Sequence, residues 1–350
     1  MYSLPTLTFL SLAFTVAASF SVPVDGAPTY TLTDLGVLPG GKGSAGTGVN
    51  SLGQAVGYGD DANGLSRGIL YSKGKLTDLG AVPDASYYSF AYTINTVGQM
   101  AGASENTAGA ISWGWIATGG KALAFQAPGS TQTAVNAINE LGEAVGYNVD
   151  ANQHQHAFQR QPTGEFIDLG LFGGTDSVAS AINNAGQVVG YFTDSTGIIH
   201  AFLAYESGTG HYDLGSLGGS TAANGVNDLG QVVGYSQTSK VVTEDHPRHA
   251  FLFSNGKLTD LGTLKGAGTV AYAISDLGEI VGTATLTAGG SHGFLYASGV
   301  MNDLNDLLAP AAKGYVVLQA LGINALGQIV GTATTPDKVS SHAVLLTPQQ

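Results

Sequence analysis

The chain has 350 residues, 52 of them glycine and none cysteine, and 12 basic residues against 25 acidic ones leave a net charge of −13. That balance excludes a nucleic-acid backbone or an anionic membrane surface as partner, since both would be repelled and no basic run offsets the charge. With 43% hydrophobic and only 11% charged residues the chain can bury a sizeable core. The lack of cysteine removes disulfides, thiolate metal sites and cysteine nucleophiles.

The first element is an address. Leu4 to Val24 carries one charge-free stretch, Leu7 to Ala18 is its apolar centre, and Val16-Ala17-Ala18 has the small residues of a cleavage site. We expect residues 1–27 to be a secretory signal peptide cut near residues 18–27. No Lys or Arg precedes the run, but Pro5 and its short length argue against a stable span. Residues 28–350 are then expected to be secreted, with no membrane span after cleavage.

A repeat fills the rest of the chain. Val49-Asn50-Ser51-Leu52-Gly53-Gln54-Ala55-Val56-Gly57 recurs in seven copies, with its Asn position at Asn50, Asn95, Asn139, Asn183, Asn227, Ser275 and Asn324. The copies lie 44 to 49 residues apart. Two further signatures keep step. One is His-Ala-Phe, at His156, His200 and His249, with variants starting at Arg67, Trp113, His292 and His342. The other is Asp-Leu-Gly, at Asp34, Asp78, Asp168, Asp213 and Asp260, altered at Asp303 and missing from the second unit.

Each unit reads as four short strands. In one unit these are Ala222 to Asn227, Gln231 to Ser236, His249 to Phe253 and Lys257 to Leu261. Asn227-Asp228-Leu229-Gly230 and Ser254-Asn255-Gly256 supply the turn residues of hairpins. No stretch carries a helical period of three turns. Four strands per roughly 45 residues is the signature of a β-propeller. The expected fold is all-β: a seven-bladed propeller of four-stranded blades over residues 28–350. Tyr30 to Gly36 is a fourth strand without a unit before it, and His342 to Leu346 a third strand without a fourth after it. Pairing the two closes the ring by an N-terminal strand that completes the C-terminal blade, and removes exposed edges.

The three signatures together resemble the HAF-repeat family of probable extracellular proteins, over about residues 30 to 346. The resemblance implies export and a repeated structural role, but no common biochemical activity.

Histidines at equivalent places of a ring stand too far apart to share an ion. His156, His200, His249, His292 and His342 are therefore read as structural, with the Asp of Asp-Leu-Gly as their partner. Asp150 with His154 and His156 is the densest cluster, and is read as a solvated loop beside a structural histidine. No metal and no cofactor is expected. Gly41-Lys42-Gly43-Ser44-Ala45-Gly46 fits a dinucleotide fingerprint in letters only, since a strand is expected after it.

Function is expected on the face formed by the second-to-third loops and the blade crossovers, which vary, rather than on the short repeated turns. Candidate ligand-binding residues there are Asp60, Asp61, Asp150 and Asp194, with Tyr87 and Tyr88, and Phe90 and Tyr92 beside them in the second crossover. Acids beside aromatic faces suit a sugar. The leading reading is a secreted binding or scaffold module for an extracellular glycan or protein, leaning away from an enzyme. The alternative is a carbohydrate-active enzyme, a polysaccharide lyase or glycosidase. Its catalytic candidates are Glu244, Asp245, His246 and Arg248 in the longest loop, Ser236 to Arg248.

Overall fold

A computed structural model of the protein describes residues 28–82, 87–106, 111–205, 210–239, 248–264, 266–287 and 289–349. The expected signal peptide, residues 1–27, lies outside them.

Seven four-stranded antiparallel sheets form the blades of a seven-bladed propeller. Blades 1 to 6 run in chain order over residues 44–78, 88–125, 132–170, 176–213, 221–260 and 266–303. Blade 7 takes Val316–Ile323, Ile329–Thr334 and Ser341–Pro348 from the C-terminal end and Tyr30–Gly36 from the N-terminal end. Tyr30–Gly36 pairs antiparallel with Ser341–Pro348, from Tyr30 opposite Pro348 to Gly36 opposite Ala343. Ring closure therefore follows the expectation. The crossover from blade 6 covers the outer edge of this strand: the Tyr30 N–H donates to the Leu307 carbonyl at 2.8 Å, and the Ala309 N–H to the Tyr30 carbonyl at 2.8 Å.

The core lies between blades. In blade 3, Val145 and Ala157 pack with Ala179, Val188 and Phe202 of blade 4. In blade 4, Val189, Ala201 and Leu203 pack with Ala223, Val232 and Phe251 of blade 5. The third residue of each His-Ala-Phe is the anchor, so Phe158, Phe202, Phe251 and Phe294 are fully buried. The middle residue has to be small. A Cβ on Gly293 would come within 2.9 Å of Val317 of the next blade.

Asp-Leu-Gly is a strand terminator with three hydrogen bonds. In blade 5 the Gly262 N–H donates to Asp260 Oδ1 at 2.7 Å, which closes an Asx turn. The Leu261 N–H returns to the Ala250 carbonyl at 2.9 Å. The Gly262 carbonyl accepts the Thr269 hydroxyl of blade 6 at 2.6 Å, and the same hydroxyl takes the Ala250 N–H at 2.9 Å. Gly262 has φ +76°, a left-handed backbone that glycine adopts without a Cβ penalty.

The turns around Asn50 and its equivalents join neighbouring blades. Asn183 Oδ1 accepts the N–H groups of Ala185 and Gln187, so the residue builds its own turn. Its Nδ2 donates to the Asn227 carbonyl of the next blade at 2.9 Å. The same amide-to-carbonyl bond links Asn50 to Asn95, Asn95 to Asn139, Asn139 to Asn183, Asn227 to Ser275, and Asn324 to Asn50. A ring of asparagines thus runs round the axis. It is interrupted at Ser275, whose side chain has no amide to give.

Candidate functional site

The face opposite these turns carries the second-to-third loops and the crossovers. One construction repeats there: the histidine that opens each third strand faces the aspartate that ends the fourth. Nδ1 lies 3.0 Å from Asp213 in His200, 2.9 Å from Asp260 in His249, 2.7 Å from Asp303 in His292 and 2.9 Å from Asp34 in His342. In blade 3 the separation of His156 from Asp168 is 3.4 Å. Blade 2, which lacks Asp-Leu-Gly, also lacks the histidine. Blade 1 has Arg67 instead, which turns to Asp61 at 3.0 Å and donates to the Tyr87 carbonyl at 2.6 Å. Each aspartate faces the imidazole and also accepts the N–H two residues on, from a glycine in four blades and from Asn305 at Asp303. Among the described residues no group of three or more acids and histidines converges on a metal position.

The acids of the second-to-third loops are turn builders first. Asp194 Oδ1 accepts the N–H groups of Thr196 and Ile198 at 2.8 and 3.0 Å, and the Thr196 hydroxyl at 2.7 Å. Asp61 accepts from Asn63 and Leu65, and Asp150 from Asn152 and His154, in the same way. In blade 7, Asp337 accepts the Thr335 hydroxyl and the Val339 N–H. Hydrogen bonds to the ionised form hold all four carboxyls below the usual carboxylate range. The bond from the Thr196 hydroxyl is the leading cause at Asp194. A depressed folded value makes this stability complete above the ordinary aspartate value of about 3.9, and it is lost as pH falls through the folded value. Urea midpoints of the protein should therefore fall between about pH 4 and pH 2, and Asp194→Asn should flatten that dependence. An identical slope in the variant would refute the assignment.

Blade 4 differs from the rest. His200 has a carboxylate on each side, with Nε2 3.2 Å from Asp194 and Nδ1 3.0 Å from Asp213, where His342 of blade 7 has Asp34 on one side and the Ser340 hydroxyl on the other. Its ring stacks on Phe192, centroids 5.0 Å apart and planes 14° from parallel. In blade 3 the corresponding His156 lies 3.7 Å from Asp150, beyond hydrogen-bond reach. Beside the blade 4 triad opens a cleft of about 540 Å³, bounded by Asp194, His200 and Asp213 on one side and by Gly215, Ser216, Gly218, Gly219, Ser220 and Gln237 on the other. This second wall is the crossover to blade 5. It presses against the start of the next loop, where a Cβ on Gly218 would lie 2.7 Å from the Thr238 carbonyl. Gln237 fixes it: its N–H donates to the Ser220 carbonyl at 2.8 Å, and its Oε1 accepts the Ser220 N–H at 3.1 Å. Ile198 and Ile199 supply apolar surface.

The candidates named from sequence are scattered by this geometry. Asp61, Asp150 and Asp194 occupy the same position of blades 1, 3 and 4, each committed to its own turn. Asp60 Oδ1 lies 3.4 Å from the Ser66 hydroxyl. Tyr87 offers its carbonyl to Arg67. Tyr88, Phe90 and Tyr92 are not crossover residues: Tyr88–Ile94 is the first strand of blade 2. Tyr88 to Ile94 pairs antiparallel with the second strand, Met100 to Glu105. Glu244, Asp245 and His246 lie outside the described residues. Arg248 opens the third strand of blade 5, with its guanidinium 4.8 Å from the centroid of the Tyr235 ring.

A run of tyrosines escaped the sequence reading. Tyr58, Tyr147, Tyr191 and Tyr235 follow the last glycine of the repeat in blades 1, 3, 4 and 5 and stand half-buried on the second strands. Tyr58 meets Phe90 of blade 2 edge-on at 5.2 Å. Burial pushes Tyr147 up to about 12, with Tyr191 of the next blade and Glu105 of the previous one adding to it. The recurring Gly-Tyr pair was the available signal.

No protein-family model matches the chain, and no curated protein matches it either. Among solved structures it is similar to a puromycin-hydrolysing peptidase of Mycobacterium tuberculosis, with 12% identity and a TM-score of 0.57 over 91% of this chain and 55% of that one. It is also similar to the acylaminoacyl peptidase of Pyrococcus horikoshii, with 13% identity and a TM-score of 0.50 over 87% of this chain and 49% of that one. The chain spans about half the length of each peptidase. At these identities the likeness shows the fold alone.

Proposed function

We propose that this propeller is a secreted binding module of the HAF-repeat type, and that its ligand seat is the cleft between blades 4 and 5. The ligand class is a polyhydroxylated molecule, such as the exposed end of an extracellular glycan. The cleft carries the reading. Its volume suits one or two sugar rings; Asp213, with one bond on each oxygen, can accept a pair of neighbouring hydroxyls, and Asp194 can accept one more on Oδ2. Ser216, Ser220 and Gln237 offer hydroxyl and amide groups on the facing wall, and the isoleucines suit the apolar face of a sugar. Phosphate is disfavoured by Asp194 and Asp213. Binding is favoured over turnover because both ring nitrogens of His200 are engaged by carboxylates, which leaves neither as a proton acceptor for a substrate. The charge-free apolar stretch Leu4 to Val24 and the resemblance of the repeat support export.

The test is co-elution of the purified protein with a panel of neutral and acidic polysaccharides, followed by calorimetry on those that bind. Asp213→Asn keeps the acceptor for the Gly215 N–H and removes the charge. It should weaken binding at least tenfold, about 1.4 kcal/mol, with little change in melting temperature. Binding that is indifferent to Asp213→Asn and Gln237→Ala would move the seat elsewhere. A shift of polymer to small products would instead establish a carbohydrate-active enzyme.

A further inference from the structure

The turns that look like pure scaffold share an unexplained property. The third residue of each Asn-x-x-Gly turn points an aliphatic side chain into solvent. Leu52 is 68% exposed, Val97 73%, Leu141 63%, Leu229 71%, Leu277 76% and Leu326 63%. In blade 4 the position is Ala185, also exposed. Turn geometry does not ask for this. The asparagine oxygen and the positive φ of the glycine make the turn, and any polar residue would serve between them.

The apolar groups stand on adjacent turns of one face. Each asparagine reaches the backbone of the next turn, so adjacent turns touch around the axis. Together the six side chains expose on the order of 400 Å² of apolar surface on that face, a total comparable with the patches that mark interaction sites on soluble proteins. Within the ring lies an opening of about 240 Å³ whose lining includes the exposed carboxylates of Glu140, Asp228 and Asp276 and no Lys or Arg. These acids latch neighbouring turns: Glu140 accepts the Thr96 N–H, Asp228 accepts from Asn184, and Asp276 accepts the Asp228 N–H. Their charge is uncompensated by those bonds.

We propose that this face docks a protein partner presenting a Lys or Arg at the centre of an aliphatic surface, the basic group entering the acidic opening and the aliphatics covering the ring. Charge decides between occupants. A second copy seated face to face would oppose three carboxylates with three more, which is destabilising where water is excluded. A basic side chain satisfies the same groups. The surface lies opposite the blade 4–5 cleft and does not depend on what that cleft binds.

The probes are two labelled peptides, each a central residue flanked by leucines, with Lys in one and Glu in the other. Fluorescence anisotropy against the whole protein should show the Lys peptide binding at least tenfold more tightly. Leu141→Ser with Leu229→Ser and Leu277→Ser should remove at least tenfold of that affinity, and the three sites are exposed, so folding should persist. Asp228→Asn with Asp276→Asn keeps an oxygen for the Asn184 N–H and for the Asp228 N–H, gives up only the exposed bond from the Asn184 side-chain amide, and should abolish the preference for Lys alone. Failure of the Lys peptide to bind, equal binding of both peptides, or indifference to the leucine changes overturns the proposal. Self-association of the wild type that the serine variant loses would place a second copy on the ring, and overturns it too.

Discussion

Asn183→Ala should cost the propeller on the order of 3–5 kcal/mol, among the largest effects expected of a single change on its surface or in its core. The side chain is almost wholly buried and makes four hydrogen bonds. Alanine leaves the N–H groups of Ala185 and Gln187, the Gln187 amide oxygen and the Asn227 carbonyl without this partner. Each buried group left unpaired costs about 1–3 kcal/mol, and partial access of water to the turn limits the sum. Asn183→Asp tests the direction of the bonds. It keeps the acceptor but turns a donor into a charge beside two oxygens, so it should be no less damaging at neutral pH. The opposite sign is expected at the break in the ring. Ser275 accepts the Glu279 N–H at 3.2 Å but gives nothing to Asn324, and burial raises Glu279 above the ordinary glutamate value. A raised folded value means the ionised form costs stability at neutral pH, a cost that fades as pH falls through that value. Ser275→Asn with Glu279→Gln restores the asparagine–glutamine pair of blades 1, 2, 4, 5 and 7 and removes this charge. It should add about 1 kcal/mol. Urea unfolding followed by the buried Trp115 reads all three variants. A neutral Asn183→Ala would show that the ring is decoration on turns that hold by themselves.

The fold was legible because the repeat shows the same hydrogen-bonding problem solved seven times. The Gly-rich turns, the terminator Asp-Leu-Gly and the buried Phe of His-Ala-Phe are each dictated by local backbone chemistry, which spacing alone reveals. Closure was legible because the two partial units at the ends complement each other. The asparagine ring was half legible. Asn before a tight turn signals an Asx turn, but the free amide of the same side chain finds its acceptor 44 to 48 residues away in several blades. The cleft was not legible. Its walls are an aspartate that reads as a loop acid, a histidine and an aspartate that read as structure, and a glycine-rich crossover of low information. Long-range contacts bring the last of these up to the triad: the packing of Gly218 against Thr238, the bonds between Gln237 and Ser220, and the Ile199 N–H on the Ser220 hydroxyl. The apolar ring was visible in letters, since leucine recurs in the turns. Its exposure was not, because turn position fixes backbone direction and not the company of the side chain.

A chain beginning at residue 37 should lose cooperative folding. The strand Tyr30–Gly36 supplies a whole edge of blade 7, and with it two buried anchors on opposite sides. Tyr30 packs with Val281, Leu295 and Leu304 of blade 6, and Leu35 with Ala55 and Ile69 of blade 1. Asp34 also leaves His342 and the Tyr315 hydroxyl, which bonds it at 2.8 Å. An aromatic and a leucine anchor are worth about 3–5 and 2–5 kcal/mol when truncated, and the edge hydrogen bonds come in addition. The total approaches the about 5–15 kcal/mol that stabilises a typical domain. The exposed edge of Ser341–Pro348 would then be free to pair with another chain, so association should accompany the loss. Residues 28–350 and 37–350 can be compared by urea unfolding and light scattering, and a synthetic peptide of residues 28–37 supplied in trans should restore a monomer with buried Trp115. A monomeric 37–350 with an unchanged midpoint would mean that six complete blades and a three-stranded seventh suffice. The hydrogen-bonded ring of turns, rather than the closing strand, would then be what holds the circle.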